Sequence, residues 1–212
     1  MKKKIIVFDF DGTLTYFDNF KLLIILRSIS PKYWKSLFVE FLKFLKYRDK
    51  QKFRVKLQEI LWNDKLNREL FFNKIFNSIF FKFLIRKPVL DYCKSISKTE
   101  TVLFLTANEK SIIKVFLQIH LDLKNKNFFI IGSDFKNDKF KIIKGVEKLN
   151  SLKLFLENMN DKYTVYNFFD SYSDLYLTQI CDVNVVVGTL NYYNLKRFNP
   201  TLIKFNLFLS SC

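Results

Sequence analysis

Ile5-Ile6-Val7-Phe8-Asp9-Phe10-Asp11-Gly12-Thr13-Leu14-Thr15 is the stretch whose reading decides the fold. Three β-branched residues and a phenylalanine in a row predict a buried strand. The run ends in two aspartates one residue apart. Along an extended strand, residues i and i+2 point the same way. Asp9 and Asp11 are therefore expected to face one spot beyond the strand's carboxyl end, where open α/β sheets hold their ligands. Gly12 lets the chain turn sharply there. Two carboxylates held together repel unless a cation sits between them. Mg²⁺ is the usual one for oxygen ligands that handle phosphate.

Working outward, four further apolar runs predict strands. Thr101–Thr106 is the next, followed by Ala107-Asn108-Glu109 and a helix from about Lys110 to His120. A strand that ends in a hydroxyl at a helix N-terminus can hold phosphate, through the Thr106 hydroxyl and the free amides of the following turn. Asn127–Gly132 is a third strand, after which Lys144-Gly145-Val146-Glu147-Lys148 opens a helix. Tyr163–Phe169 is a fourth, ending in Asp170-Ser171-Tyr172-Ser173-Asp174-Leu175. Cys181–Gly188 is a fifth. A helix is expected between Pro88 and Lys98. The expected class is α/β, a mostly parallel sheet flanked by helices.

With those runs in order behind it, Asp-x-Asp-Gly-Thr at Asp9–Thr13 resembles the first motif of the haloacid-dehalogenase-like (HAD) phosphohydrolases. The Thr106 strand resembles the second. Gly145-x-x-Lys148 resembles the third as it occurs in the phosphoserine-phosphatase-like branch, subfamily IB, and favours Lys148 over Lys144 and Lys153. Asp170-x-x-x-Asp174 looks like the fourth, with Phe169 where the family has glycine or another small residue. The resemblance implies an HAD-like Rossmannoid core. It makes Asp9 the nucleophile and Asp11 the general acid and base. Thr106, Ala107 and Lys148 would bind phosphate. Mg²⁺ would be held by Asp9, Asp11 (through its backbone carbonyl) and Asp170. Asp174 would act through water or position Asp170, and Ser171 would reach the metal's waters or the phosphate. The implied activity is a Mg²⁺-dependent phosphomonoesterase working through an aspartyl-phosphate on a small or lipid-like phosphate monoester.

Residues 17–88 show no strand signal. Trp34, Leu37, Phe38, Phe41, Leu42 and Leu45 recur at helical spacing behind Pro31 and predict an amphipathic helix with basic flanks. A second helix is predicted over Arg68–Leu84. The expected organisation is a core of 1–16 and 89–190, an all-helical cap of 17–88 inserted after the first motif, and a basic, aromatic tail of 191–212 packed on the core. The cap's apolar stripes are expected to pack on each other and on the core. A competing reading lays the basic aromatic helix on an anionic lipid surface. Two other functional readings differ in class. One is a catalytically weak HAD-fold module that binds anionic membrane or nucleic acid through its basic cap. The other is a phosphotransferase or phosphomutase.

The chain has 212 residues, a net charge of +16 and 49% hydrophobic residues. That suits one α/β domain with an inserted module. The charge points to phosphate-bearing partners, although Lys, Asn, Ile and Phe dominate throughout, as biased base composition would produce. The expected partner is a phosphorylated small molecule or lipid; nucleic acid is not expected. Cys93, Cys181 and Cys212 form no paired motif, which fits a reducing compartment. His120, the single histidine, is expected to pack or cap. Lys2-Lys3-Lys4 is followed by too short an apolar run for a signal peptide. No window is apolar enough to span a membrane. A cytoplasmic protein is expected, peripheral to the membrane if the cap touches lipid.

Overall fold

β1 (Lys3–Phe8) forms at the β-branched run and lies at the centre of the sheet. The structure, a computed structural model, describes residues 3–62, 65–121, 127–136, 139–159 and 162–210, so Lys2 and Cys212 lie outside it. β2 (Thr101–Glu109) and β5 (Tyr163–Phe169) flank β1, both parallel to it. β3 (Phe128–Lys136) and the antiparallel β4 (Lys139–Lys141) extend one side. β6 (Val183–Val186) and β7 (Ile203–Lys204) extend the other, giving the order β4-β3-β2-β1-β5-β6-β7.

Alternate residues of β1 serve opposite faces, as the period of a strand requires. Ile5 and Val7 join Leu103, Leu105, Leu149 and Leu152 on one face. Ile6 and Phe8 join Phe104 and Phe168 on the other, where the Phe8 ring stacks on that of Phe168 at 4.9 Å. Burial on both sides is why the run is continuously apolar rather than alternating.

Among the described residues, five α-helices lie between β1 and α6 (Lys87–Ile96): α1 (Asn19–Ser28), α2 (Trp34–Tyr47), α3 (Lys50–Trp62), α4 (Lys65–Phe76) and α5 (Ile79–Leu84). The chain enters and leaves this insertion side by side. The Tyr16 amide donates to the Leu84 carbonyl at 2.8 Å, and the Arg86 amide to the Leu14 carbonyl at 2.8 Å.

Four sequence expectations are corrected. The helix expected over Arg68–Leu84 is two helices. Ser78 takes an extended conformation, and its hydroxyl accepts from the Phe81 amide as the N-cap of α5. The apolar stripe of α2 does not pack inward: none of that helix is buried. Its Leu37–Phe44 edge meets the protein, with the Phe44 ring stacked on Phe53 of α3 at 4.7 Å, and the Trp34 indole N–H donates to the Ser28 carbonyl. β2 does not end at Thr106 but runs to Glu109 through a register shift, and α7 (Lys110–His120) follows it at the residues expected. Finally, the segment expected as a packed tail also extends the sheet, adding α9 (Thr189–Lys196), β7 and α10 (Phe205–Leu209) after the fifth strand.

That last segment also accounts for Phe169. Its fully buried ring lies among Val186, Tyr192, Leu195 and Leu202. Phe205 and Phe208 cover Phe168 on the opposite face. A large residue is therefore accommodated before Asp170 by a pocket that residues 192–202 largely build. Among the described residues, no helix is long and apolar enough to cross a membrane.

Candidate active site

The carboxyl ends of β1, β2 and β5 open onto a cavity of about 260 Å³. Asp9, Asp11, Gly12, Thr106, Ala107, Lys148, Asp170 and Ser171 all line it. Tyr16 lines it too, and the inserted segment contributes Phe17, Asp18 and Arg54.

Asp9 prolongs the β1 ladder by one bond, its amide donating to the Phe168 carbonyl at 3.0 Å. The chain then leaves the strand in a turn closed by the Leu14 amide on the Phe10 carbonyl at 3.0 Å. Asp11 thus reaches the cavity from a turn rather than from an extended strand. Gly12 has φ +71°, and a Cβ there would collide with the Asp170 carboxylate. Only glycine serves both demands. Arg86 Nε donates to the Gly12 carbonyl at 2.9 Å and fixes the turn from behind.

Asn19, at the start of α1, donates to Asp11 Oδ1 from its amide at 2.9 Å and from Nδ2 at 2.8 Å. Burial, then the charges of Asp18 and Asp9, raise the Asp11 pKa to about 7, against the hydrogen bonds from Asn108 and Asn19. A carboxyl poised there can both give and take a proton near neutrality.

Gly145, with φ +58°, turns the chain into α8 (Val146–Glu157) and places Lys148 in its first turn. The Lys148 ammonium is buried. It donates to Asp9 Oδ1 at 2.8 Å and to Asp174 Oδ1 at 2.6 Å. Burial opposes its charge, but Asp174 and Asp9 outweigh that and hold its pKa above the ordinary lysine value. Asp174 is raised by burial, with Lys148 working against the rise.

Asp170 follows β5 directly. Burial, then Asp9, Asp174 and Asp11, raise its pKa to about 8, with Lys148 opposing. Asn191 Nδ2 of α9 lies 3.5 Å from its Oδ2. The Ser171 hydroxyl is 2.8 Å from that of Ser173 and donates to Asp174 Oδ2 at 3.3 Å. Thr106 Oγ1 accepts from the Asn108 amide at 3.1 Å, so the bulge after Thr106, not a helix end, shapes this side of the cavity.

Among the described residues, no three acidic, histidine or cysteine side chains form a ready-made metal cage. The donor set implied for Mg²⁺ needs only two carboxylates, Asp9 and Asp170, with the main-chain oxygen of Asp11. These are hard oxygen donors of the kind Mg²⁺ takes. The electrostatics fit a cation: Asp170 is surrounded by three other carboxylates, which Lys148 and Arg86 only partly offset. His120 packs on Phe116 at the end of α7 and does not line the cavity. Cys93 and Cys181 are buried and free, and burial pushes the Cys181 thiol up to about 12.

Sequence reasoning missed Asn19, Asn191, Arg54 and Arg86. Each is a lone polar residue on a helix or at its edge, with no local pattern. Arg54 and Lys144 also line an adjoining cavity of about 540 Å³ with Lys50, Ile142 and Tyr176. The site therefore widens toward α3 and the start of α8.

No protein-family profile and no curated protein matches the chain. Solved structures do. A Bordetella pertussis Tohama I protein of unknown function superposes with TM-score 0.72 at 10% identity, over 96% of this chain and 99% of that one. A substrate-bound phosphoserine phosphatase gives 0.59 at 13% identity, over 100% and 99%. A phosphoserine phosphohydrolase-like protein from Francisella tularensis subsp. tularensis SCHU S4 gives 0.56 at 19% identity, over 95% and 94%. Together with the parallel sheet and its helical insertion, these likenesses establish an HAD-like α/β fold.

Proposed function

We propose that this chain is a Mg²⁺-dependent phosphomonoesterase of the phosphoserine-phosphatase-like HAD branch, with residues 17–88 as its cap. The observation that carries the reading is the buried Lys148 ammonium between Asp9 and Asp174, beside Asp11 and Asp170. A phosphoserine phosphatase shares the fold over its whole length.

In this reading Asp9 attacks the phosphorus of the ester in line and becomes an aspartyl-phosphate. Asp11 gives its proton to the departing alkoxide. It then takes one from the water that cleaves the acyl phosphate and releases inorganic phosphate. Lys148 orients Asp9 and offsets the repulsion between its carboxylate and the phosphoryl oxygens. Thr106 and Ala107 bind the remaining oxygens. When bound by Asp9, Asp170 and the Asp11 main chain, Mg²⁺ supplies further positive charge to the phosphoryl group. The adjoining cavity, with its cations and its apolar lining of Ile142 and Tyr176, supports a phosphate monoester that carries a sizeable or lipid-like group. The cytoplasm, where Mg²⁺ and phosphate esters abound, is the proposed location.

Hydrolysis of p-nitrophenyl phosphate with Mg²⁺ tests the reading. Chelation is expected to stop turnover, and Asp9→Asn to lower it by about a thousandfold or more. No turnover of that ester or of a panel of phosphate monoesters, with no protection against unfolding by beryllofluoride, would retire the proposal.

A further inference from the structure

The face of α2 that the sequence marks for burial is exposed. Trp34, Phe38, Phe41, Leu42 and Leu45 are between 43% and 62% exposed. At about 100° per residue they fall within one arc of roughly 100° on the helix surface. Leu37 and Phe44, beside that arc, are the edge turned to the protein. On the arc's other side come Lys35 and Lys46, both exposed, with Lys43 beyond. Lys32, Arg48 and Lys50 extend the positive charge past both ends of the helix. The nearby acids are engaged already: Glu40 pairs with Lys43 at 2.6 Å, and Asp49 accepts from the Lys52 amide at 2.9 Å.

We infer that α2 is a docking surface for an anionic lipid bilayer, its apolar stripe in the acyl boundary and its lysines among the headgroups. Charge complementarity selects this occupant. Burial of large apolar side chains with lysines along the margin is the arrangement an interfacial helix needs, since the long stems let ammonium groups reach the lipid phosphates. A second copy fits worse. Pairing the same stripe across a twofold axis would bring two lysine-rich margins together in a protein of net charge +16. Trp34 is a rigid part of the surface, because its indole N–H donates to the Ser28 carbonyl at 2.9 Å. The inference concerns a face outside the carboxylate cavity and stands apart from the phosphatase reading.

The chain has two tryptophans, which makes the test direct. Trp62 is fully buried in the insertion, whereas Trp34 is exposed. The full chain is mixed with phosphatidylcholine vesicles, with and without phosphatidylglycerol. Co-sedimentation and a blue shift of Trp34 emission are expected only with the anionic vesicles, and both are expected to weaken with salt. Phe38→Glu with Leu42→Glu should lower partitioning by about tenfold or more. Lys35→Gln with Lys46→Gln should also lower it. Both pairs lie on the surface, so circular dichroism and unfolding midpoints should stay near wild type. Asp9→Asn should bind vesicles as wild type does, which separates this result from any loss of hydrolysis. Three outcomes would overturn the inference: no binding to anionic vesicles, binding that the apolar-stripe variant leaves unchanged, or a concentration-dependent dimer that the same variant breaks.

Discussion

Lys148 is the residue on which most of the site's charge balance rests. Its ammonium faces two carboxylates within hydrogen-bond distance, and burial shuts Lys148 and Asp174 away from water while Asp9 reaches the cavity. Removing one member of such a cluster leaves the others uncompensated, at a cost of about 3–5 kcal/mol. Lys148→Met should lower the unfolding free energy by that amount in urea titrations and abolish hydrolysis as well. A stability loss under about 1 kcal/mol would mean that the carboxylates simply take up protons when the lysine goes. Lys148 was legible because Gly145 stands three residues before it. Asp9, Asp11 and Asp170 were legible because each follows or closes a strong apolar run, and Asp174 because the resemblance puts a second aspartate four residues after Asp170. Asn19 and Asn191 were not, since asparagines on helices carry no local sign of what they face. The same is true of Arg54, one basic residue among many on the α2–α3 surface.

At the scale of elements, β5 and its ending show how a neighbour can rescue an unexpected residue. Tyr163–Phe169 is the strand that the sequence predicts, residue for residue. What the sequence could not show is the pocket for Phe169, because its walls come from Val186 on the next strand and from residues 192–202 beyond it. Phe169→Ala should cost about 3–5 kcal/mol, as for a large aromatic removed from a core. By loosening Asp170 next to it, the change should also reduce the thermal stabilisation that Mg²⁺ gives. Differential scanning fluorimetry with and without the metal measures both effects, and an unchanged metal increment would uncouple the pocket from the site. The opposite lesson comes from α2. Periodicity correctly marks an apolar face, but it says nothing of what covers that face.

At the scale of the molecule, the clustered carboxylates make stability depend on pH and metal together. Asp11 and Asp170 are raised to about 7 and about 8 in the folded protein, from an ordinary value of 3.8. Between those limits the folded state holds protons that the unfolded state has released. Without metal, stability therefore falls as pH rises through that window. In the proposed reading, a divalent cation binds the ionised Asp170 carboxylate and relieves the repulsion it shares with Asp9 and Asp11. The rise in melting temperature on adding Mg²⁺ should thus be larger at about pH 8 than at about pH 6. An increment that does not change with pH would contradict the assignment of Asp170 to the cation.

The position of β1 has one more consequence, in the order of events during synthesis. β1 is made first, yet it pairs with nothing near it in sequence: Ile5 lies opposite Thr101 on one side and Lys3 opposite Tyr163 on the other. A ribosome must add about a hundred residues before the first partner exists, and about sixty more before the second. Such distant pairing makes for slow closure of the sheet. The earliest-made aspartate, Asp9, is then among the last to find its surroundings, because Lys148, Asp170 and Asp174 all come later. The nascent chain carries this apolar strand unpaired until about a hundred further residues have been made. In that interval it depends on whatever shields an exposed strand edge in the cell.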